Sequence, residues 1–526
     1  MRDFETPGRS VVLALNGMCA TSHPLAAQTA IGMLQAGGNA VDAAIAAAVL
    51  LGICEPQMTG IGGDCFVLMK PAGDERVIAL NGSGRAPAGL HSEDLRARGL
   101  AAMPLHSADA VTIPGAIDAF CRLSTDWGRL GLDEVLAPAI RYAEEGVPVA
   151  PRTALDWAEA TPDLQGAARQ HYLFGGAPPR VGQIFRAPGQ AEVLRRIAAE
   201  GRKGFYEGEV AEDMVASLQA LGGAHTLEDF ASNSCTYGDP VSGSYKGVEL
   251  LEHPPNGQGA TAILMLNILS HFDLAPLDPF GAERAHLEAE AAKLAYDARN
   301  RFIADPDHMV RAIDYMLAPE TARRLAALID PKRAMPDPAP LSEAVHRDTV
   351  YLTVVDRDRM AVSLIYSVYH AFGSGLASNR FGINFQNRGA GFTLQAGHPN
   401  EAAGGKRPMH TIIPGMLRKN SNVIMPFGVM GGAYQPTGHV RFVTNMLDYG
   451  LHPQAAIDGP RCFAGATGLE VERGYSERVK NQLAALGHRV IPADGPLGGA
   501  QAIGIGEDGV LTGGSDPRKD GCALGY

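Results

Sequence analysis

The stretch TVYLTVVDRDRMAVSLIYSVY, residues 349–369, decides how this chain folds. Residues 350–355 are a β-branched and aromatic run, residues 361–366 are another, and the polar Arg357, Asp358 and Arg359 between them predict the loop of an antiparallel hairpin. With Asp356 paired to Met360, the register runs outward residue for residue and sets the hydroxyl of Ser367 opposite that of Thr349. A one-residue bulge would spoil that pairing. Side chains alternate between faces along a strand, so Tyr369, two residues beyond Ser367, shares its face. A threonine at the head of such a strand, with a serine hydroxyl facing it, is a candidate nucleophile.

Outward from the hairpin the text changes character. Upstream, DPKRAMPDPAPLSEAVHRD at 330–348 is rich in proline and charge and reads as a linker, with Pro336, Pro338 and Pro340 favouring an extended, exposed run. Before it, residues 115–330 are mostly amphipathic helix. Nearer the start, Ala-rich helical text over 24–53 is broken at Gly37 and Gly38, TGIGGDCFVLM at 59–69 is a glycine turn feeding a strand, and a strand at 76–80 leads into NGSGRAPAG. After the hairpin come short strands, a Pro-Gly turn at 414–415, the loop GVMGGAYQ and a helix over about 438–448. Strands at both ends with helices between them predict sheets covered by helices, an α/β or α+β layered architecture.

Composition narrows the function classes. With 46% hydrophobic and 19% charged residues the chain is globular, and 526 residues suffice for a large core. A net charge of −12 without a Lys/Arg cluster excludes a phosphate-backbone partner, so no nucleic acid is expected. The seven cysteines are scattered and odd in number, which predicts reduced thiols rather than a disulfide framework or a zinc site. No secretory signal opens the chain, and the longest apolar run, 43–53, is too short to cross a bilayer. These features predict a cytoplasmic protein with no membrane partner. No spacing suggests a catalytic metal, and no phosphate loop or dinucleotide fingerprint suggests a cofactor. His286, at the head of the helical tract EAEAAKLAYDARNRF, reads as structural.

Six segments carry a resemblance: AGGNAVDAA at 36–44, TGIGGDCF at 59–66, TVYLTVVD at 349–356, KRPMHTIIP at 406–414, MGG at 430–432 and SDPR at 515–518. Together they resemble the gamma-glutamyltranspeptidase family of N-terminal nucleophile hydrolases. The resemblance implies a four-layer αββα sandwich and a precursor that cleaves itself, here between Asp348 and Thr349. Residues 1–348 would become a large chain and 349–526 a small one, the two forming one domain. It also implies that Thr349 is the nucleophile and that Ser367 hydrogen-bonds its new terminus, the residue which hairpin register reaches independently. Gly431 and Gly432 would supply oxyanion N–H groups. The chemistry is self-consistent, because a threonine hydroxyl needs a base and a freed α-amine, ordinarily titrating at about 7.7–8.0, is one.

The substrate side departs from the family. By motif position the usual arginine becomes Ser83, with Arg85 two residues on; the usual asparagine becomes Tyr369; the acid near the α-amine becomes Gly391; and the serine pair becomes His410 and Thr411. The α-amine loses its binder, while Arg85, His410 and Thr411 can still donate to an anion. That pattern is most similar to the oxamate amidohydrolase branch, which implies hydrolysis of oxamate to oxalate and ammonia in purine breakdown. The alternatives are a gamma-glutamyltransferase or glutathione hydrolase, a cephalosporin or glutaryl acylase, and a non-catalytic binding module on the same fold. A missing nucleophile or missing glycine pair would mark the last, and both are present. Asp64, Asn256 and Gln258 sit in glycine-rich loops where turn chemistry explains them equally well. The expected partners are a small amide and the two chains of one precursor, with homo-oligomerisation left open.

Overall fold

The computed structural model describes residues 5, 8–309, 313–336 and 349–526. In it the hairpin takes the expected register, from Val350 against Tyr366 to Val355 against Ala361, and Asp356 N donates to Met360 O at 3.1 Å. No bulge interrupts it. The hairpin lies at the centre of a seven-stranded antiparallel sheet ordered Cys522–Gly525, Met18–Thr21, Val350–Val355, Ala361–Ser367, Asp64–Lys70, Ile78–Gly82 and Thr236–Gly238. A second seven-stranded sheet runs Val12–Ala14, Leu511–Ser515, Gly499–Ile505, Asn422–Met430, Gly415–Lys419, Val248–Glu252 and Val241–Tyr245.

Alternation along the hairpin strands builds the layers. Val350, Leu352, Val354, Val362, Leu364 and Tyr366 pack outward, in one cluster with the helices Pro24–Gln35, Ala40–Cys54 and Ala116–Trp127. The helix Ala40–Cys54 is buried at every position, which is why its sequence is apolar all round. On the other flank, Gly259–Leu269, Ala282–Phe302 and Gln435–Leu447 cover the second sheet. Between the sheets lie Met18, Ala20, Leu68, Leu251, Met416 and Ile503, and nearer the head of the hairpin Phe66, Tyr351, Ile365, Ile412 and Met430. Burying each such large side chain stabilises the fold by about 1.5–3 kcal/mol. The result is the αββα sandwich that the resemblance implied.

Three expectations need correction. Val241–Tyr245 and Val248–Glu252 fall in the tract read as helical, yet they form a hairpin that completes the second sheet. Its two-residue turn, Lys246 and Gly247, has φ of +48° and +78°, the twisted turn that joins neighbouring strands tightly. The late helix begins at Gln435 rather than 438, with Pro436 in its first turn where a missing N–H costs nothing. Finally, the start of the linker is pinned: Ala334 N donates to Leu486 O at 2.7 Å and Met335 N to Glu290 Oε2 at 2.8 Å. The rest of the linker, with Asp348, lies outside the described residues. No helix among the described residues is long and apolar enough to cross a membrane.

The two sheets approach closely around Tyr351 and Ser363. Tyr351 hydroxyl bonds Ser363 Oγ at 2.7 Å, Ser363 Oγ donates to Phe427 O at 3.2 Å, and a Cβ on Gly428 would lie 2.4 Å from the Tyr351 ring. Gly428→Ala is therefore expected to cost about 1–3 kcal/mol through overpacking and to lower the calorimetric melting temperature. An unchanged melting temperature would contradict this close approach.

Candidate active site

Thr349 and Ser367 meet as the register requires, with Oγ1 and Oγ 3.2 Å apart and both residues buried. The row continues across the sheet, because Ser367 stands opposite Asp64 on the next strand. One step beyond the pair Cys65 and Gly82, the same register brings Ser83 alongside Asp64. Thr349, Ser367, Asp64 and Ser83 thus form one polar row across the sheet. Extending the hairpin arithmetic to a third strand would have found Asp64 from the sequence.

Above the row sits a buried cation that the sequence reading missed. Arg388 Nη1 donates to Thr411 Oγ1 at 2.9 Å, Nη2 reaches Ser367 Oγ at 3.5 Å, and the guanidinium lies 4.0 Å above the Tyr369 ring. Arg388 is wholly buried. Tyr369 is held at φ +83°, a conformation costly for a bulky side chain, and its N–H donates to Ser367 Oγ at 2.9 Å. Strain of this kind persists only where surrounding contacts enforce it. Arg388 arrives on an irregular segment, the short helical turn Arg388–Gly391, so no strand or helix period points to it.

Asp64 and His410 form the floor. Asp64 Oδ1 accepts from Gly84 N at 2.9 Å, Gly115 N at 3.1 Å and Gln386 Nε2 at 2.9 Å, and Oδ2 faces His410 Nε2 at 3.2 Å. Burial pushes the Asp64 carboxyl up to about 6, while the charge of Arg388 and the hydrogen bonds hold it down. Burial, reinforced by Arg388, His253 and Arg407, keeps His410 well below the usual imidazole range, so the ring is neutral. With an ionised carboxylate at Nε2, that nitrogen carries the proton and donates. Nδ1 is then the acceptor facing Ile412 N at 3.4 Å.

The second sheet closes the site from the opposite side. Strands Val248–Glu252, Gly415–Lys419 and Asn422–Met430 all present the same end, where loops 253–258, 406–414 and 431–434 converge. Gly431 and Gly432 follow the last strand at φ +121° and +53°, and a Cβ on Gly431 would lie 2.9 Å from Gly498 Cα. Only glycine takes this path easily. Gln258 Nε2 donates to Thr411 O at 2.6 Å and to Gly432 O at 3.1 Å. A continuous polar chain therefore runs from Thr349 through Ser367, Arg388, Thr411 and Gln258 to Gly432.

Other expected positions land differently. Ser83 is absorbed in a network in which its hydroxyl donates to Asn81 Oδ1 at 2.6 Å, and Asn256 accepts from Asn81 Nδ2 at 2.8 Å and donates to Pro408 O at 2.7 Å. Arg85 stands apart from the cluster, its side chain 37% exposed, with Nη1 donating to Gly405 O at 3.0 Å and lying 3.5 Å from Asp305. The arginine filling the interior behind Ser83 is Arg407, which donates to Ser83 O at 3.0 Å. At Gly391 any side chain would meet Met409 O at 2.6 Å, so an acid does not fit there. Away from the cluster, His286, Glu290 and His488 bring ligand-type atoms within 4.8 Å of one another. His286 Nδ1 bonds His488 Nε2 at 2.7 Å, and the Lys293 ammonium, 3.0 Å from Glu290, opposes a metal cation there.

The family model described as Gamma-glutamyltranspeptidase matches residues 26–526. The "Glutathione hydrolase-like YwrD proenzyme" of Bacillus subtilis is 36% identical over 98% of this chain and 99% of its own length. The "Oxamate amidohydrolase proenzyme" of Klebsiella pneumoniae is 34% identical over the same shares, 98% and 99%. Among solved structures, the cephalosporin acylase from Bacillus halodurans superposes with a TM-score of 0.92 at 39% identity, covering 100% of this chain and 99% of that one. The chain belongs to the gamma-glutamyltranspeptidase family of hydrolases acting on amide C–N bonds.

Proposed function

We propose that this enzyme cleaves itself between Asp348 and Thr349, giving chains 1–348 and 349–526, and hydrolyses a small amide whose carboxylate adjoins the scissile carbonyl, with oxamate the leading substrate. The observation that carries this reading is the buried Arg388, set between Ser367 and Thr411 and stacked on Tyr369. A guanidinium offers a carboxylate two parallel donors, and a buried one favours an anionic ligand. The tight packing at Gly391, which leaves no room for an acid, argues against an α-amine. Similarity to the oxamate amidohydrolase proenzyme of Klebsiella pneumoniae supports the same substrate. The seven scattered cysteines, odd in number and without paired spacing, suit a reducing, cytoplasmic setting.

The steps follow from the groups present. In self-cleavage, Thr349 Oγ1 attacks the Asp348 carbonyl carbon, the C–N bond breaks as the acyl group moves to oxygen, and water hydrolyses the ester to leave a free α-amine. In turnover that amine takes the Thr349 hydroxyl proton as Oγ1 attacks the substrate carbonyl. Gly431 and Gly432 N–H groups stabilise the oxyanion. The proton passes to the leaving nitrogen, ammonia departs, and water attacks the ester to release the dicarboxylate and restore Thr349. Arg388 and Thr411 hold the neighbouring carboxylate throughout. Ser367 steers the hydroxyl.

Oxalate release from oxamate, set against p-nitroaniline release from a gamma-glutamyl anilide and glutarate release from a glutaryl amide, tests the reading. Oxamate is expected to be the best substrate. Turnover of the anilide or the glutaryl amide alone would replace this reading with the transferase or the acylase. Arg388→Lys keeps the charge but loses the fork, and is expected to lower kcat/KM on oxamate by about 10–100-fold, with a smaller loss on an uncharged amide.

The pH profile gives an independent check. Log kcat/KM is expected to rise with slope one as the α-amine loses its proton, and to steepen below about 6, where Asp64 also titrates. Asp64→Asn should abolish the steepening. The raised carboxyl means that the folded chain binds the extra proton. Its contribution to stability is therefore fully present below the unfolded value near 4 and lost as pH rises through about 6, by at most about 1.4 kcal/mol per pH unit. Loss of activity below 6 is thus not unfolding caused by this group.

A further inference from the structure

Gln258 follows the strand Val248–Glu252 by six residues and is wholly buried. Its amide makes three bonds: Oε1 accepts from Arg299 Nη1 at 2.8 Å, and Nε2 donates to Thr411 O at 2.6 Å and Gly432 O at 3.1 Å. A guanidinium only donates and a carbonyl only accepts, so the amide has a single permitted orientation. The helix that carries Arg299, Ala282–Phe302, also grips the glycine loop through the Tyr296 hydroxyl, which donates to Ala433 O.

Gly431 and Gly432 have no side chains to hold their peptide planes, so bonds to their carbonyls do it. Gly431 O accepts from Tyr434 N at 3.0 Å, and in a planar trans peptide the N–H of Gly432 points the opposite way. Together with the backbone N–H of Gln435, Gln258 holds the next plane, the one that carries the Ala433 N–H, through Gly432 O and so restrains Gly432 from its C-terminal side. With the same nitrogen it holds the backbone of Thr411, whose hydroxyl receives Arg388 Nη1 at 2.9 Å. One side chain therefore ties the backbone just after the Gly432 N–H to the loop that carries Thr411.

We propose that Gln258 is a positioning residue that orients the Gly432 peptide and sets its separation from the Arg388 and Thr411 anchor, so that the site favours amides whose carboxylate directly adjoins the scissile carbonyl. This rests on the reaction proposed above. A longer acyl chain needs a wider separation between oxyanion and anchor, so loosening the tie should penalise short substrates most.

The test uses the self-cleaved enzyme carrying Gln258→Met, which keeps length and volume but loses all three polar bonds. On oxamate, kcat is expected to fall by at least about 10-fold with KM changed less than about 3-fold, as for a lost oxyanion positioner. The ratio of oxamate to glutaryl amide turnover should shift toward the longer substrate, and a crystal structure should show the Gly432 carbonyl turned. A folded, cleaved variant with kcat within about twofold of wild type, or with the Gly432 peptide unmoved, overturns the proposal. If wild type hydrolyses neither amide, the proposed reaction falls and the crystal structure alone judges Gln258: a turned peptide supports the positioning role and an unmoved one overturns it. Should Gln258→Met not fold, Gln258→Glu is read the same way, since it keeps the Arg299 bond but sets an oxygen against both carbonyls.

Discussion

Everything in the site depends on two hydroxyls, those of Thr349 and Ser367, being brought to 3.2 Å by the register of one hairpin. A slip of one strand by one residue would send one of the two hydroxyls to the outer, helix-covered face, away from the other, because side chains alternate. The register is protected by burial on both faces. Val350, Leu352 and Val354 are locked under helices, while Tyr351 is locked against the second sheet. Large apolar burial is thus spent on holding a short polar contact in place. The proposed nucleophile, Thr349, thus sits at the head of a strand buried on both faces.

The second sheet contributes what the first cannot. A flat row of Thr349, Ser367 and Asp64 holds hydroxyls and a carboxylate but neither the backbone N–H pair nor the cation that the proposed reaction uses. Loops from the facing sheet bring the glycine pair, Thr411 and Gln258, and the irregular segment after the hairpin brings Arg388. Asp64 beneath offsets part of the charge of Arg388 and orients the neutral His410, so cation, acid and imidazole form one balanced cluster. Burying an arginine beside the Ser367 hydroxyl is costly without such a counterweight.

Legibility in the sequence followed periodicity. The hairpin, its register, the broken helix pair at Gly37 and Gly38 and the layered class are local patterns with a period, and they were readable. The hairpin at Val241–Tyr245 was hidden because glycine and serine dilute its alternation and the surrounding text is helical. Arg388 has no periodic context, and Arg85 drew attention because it sits in a glycine-rich motif, although its guanidinium is held at the surface by Gly405 and Asp305. Gln258 looked like turn chemistry because its three partners are distant in sequence. Contacts that join distant loops are set by the sandwich as a whole and leave no local trace.

The central claim is that Thr349 becomes a free N-terminus and is the residue acylated in turnover. Intact-mass spectrometry of the purified enzyme, run alone and after rapid acid quench during steady-state turnover, measures both. The account predicts a small chain beginning at Thr349, a quenched species heavier by the acyl group and mapped to that residue, and an uncut single chain for Thr349→Ala. An active enzyme that remains one chain, or a small chain beginning elsewhere, would contradict it.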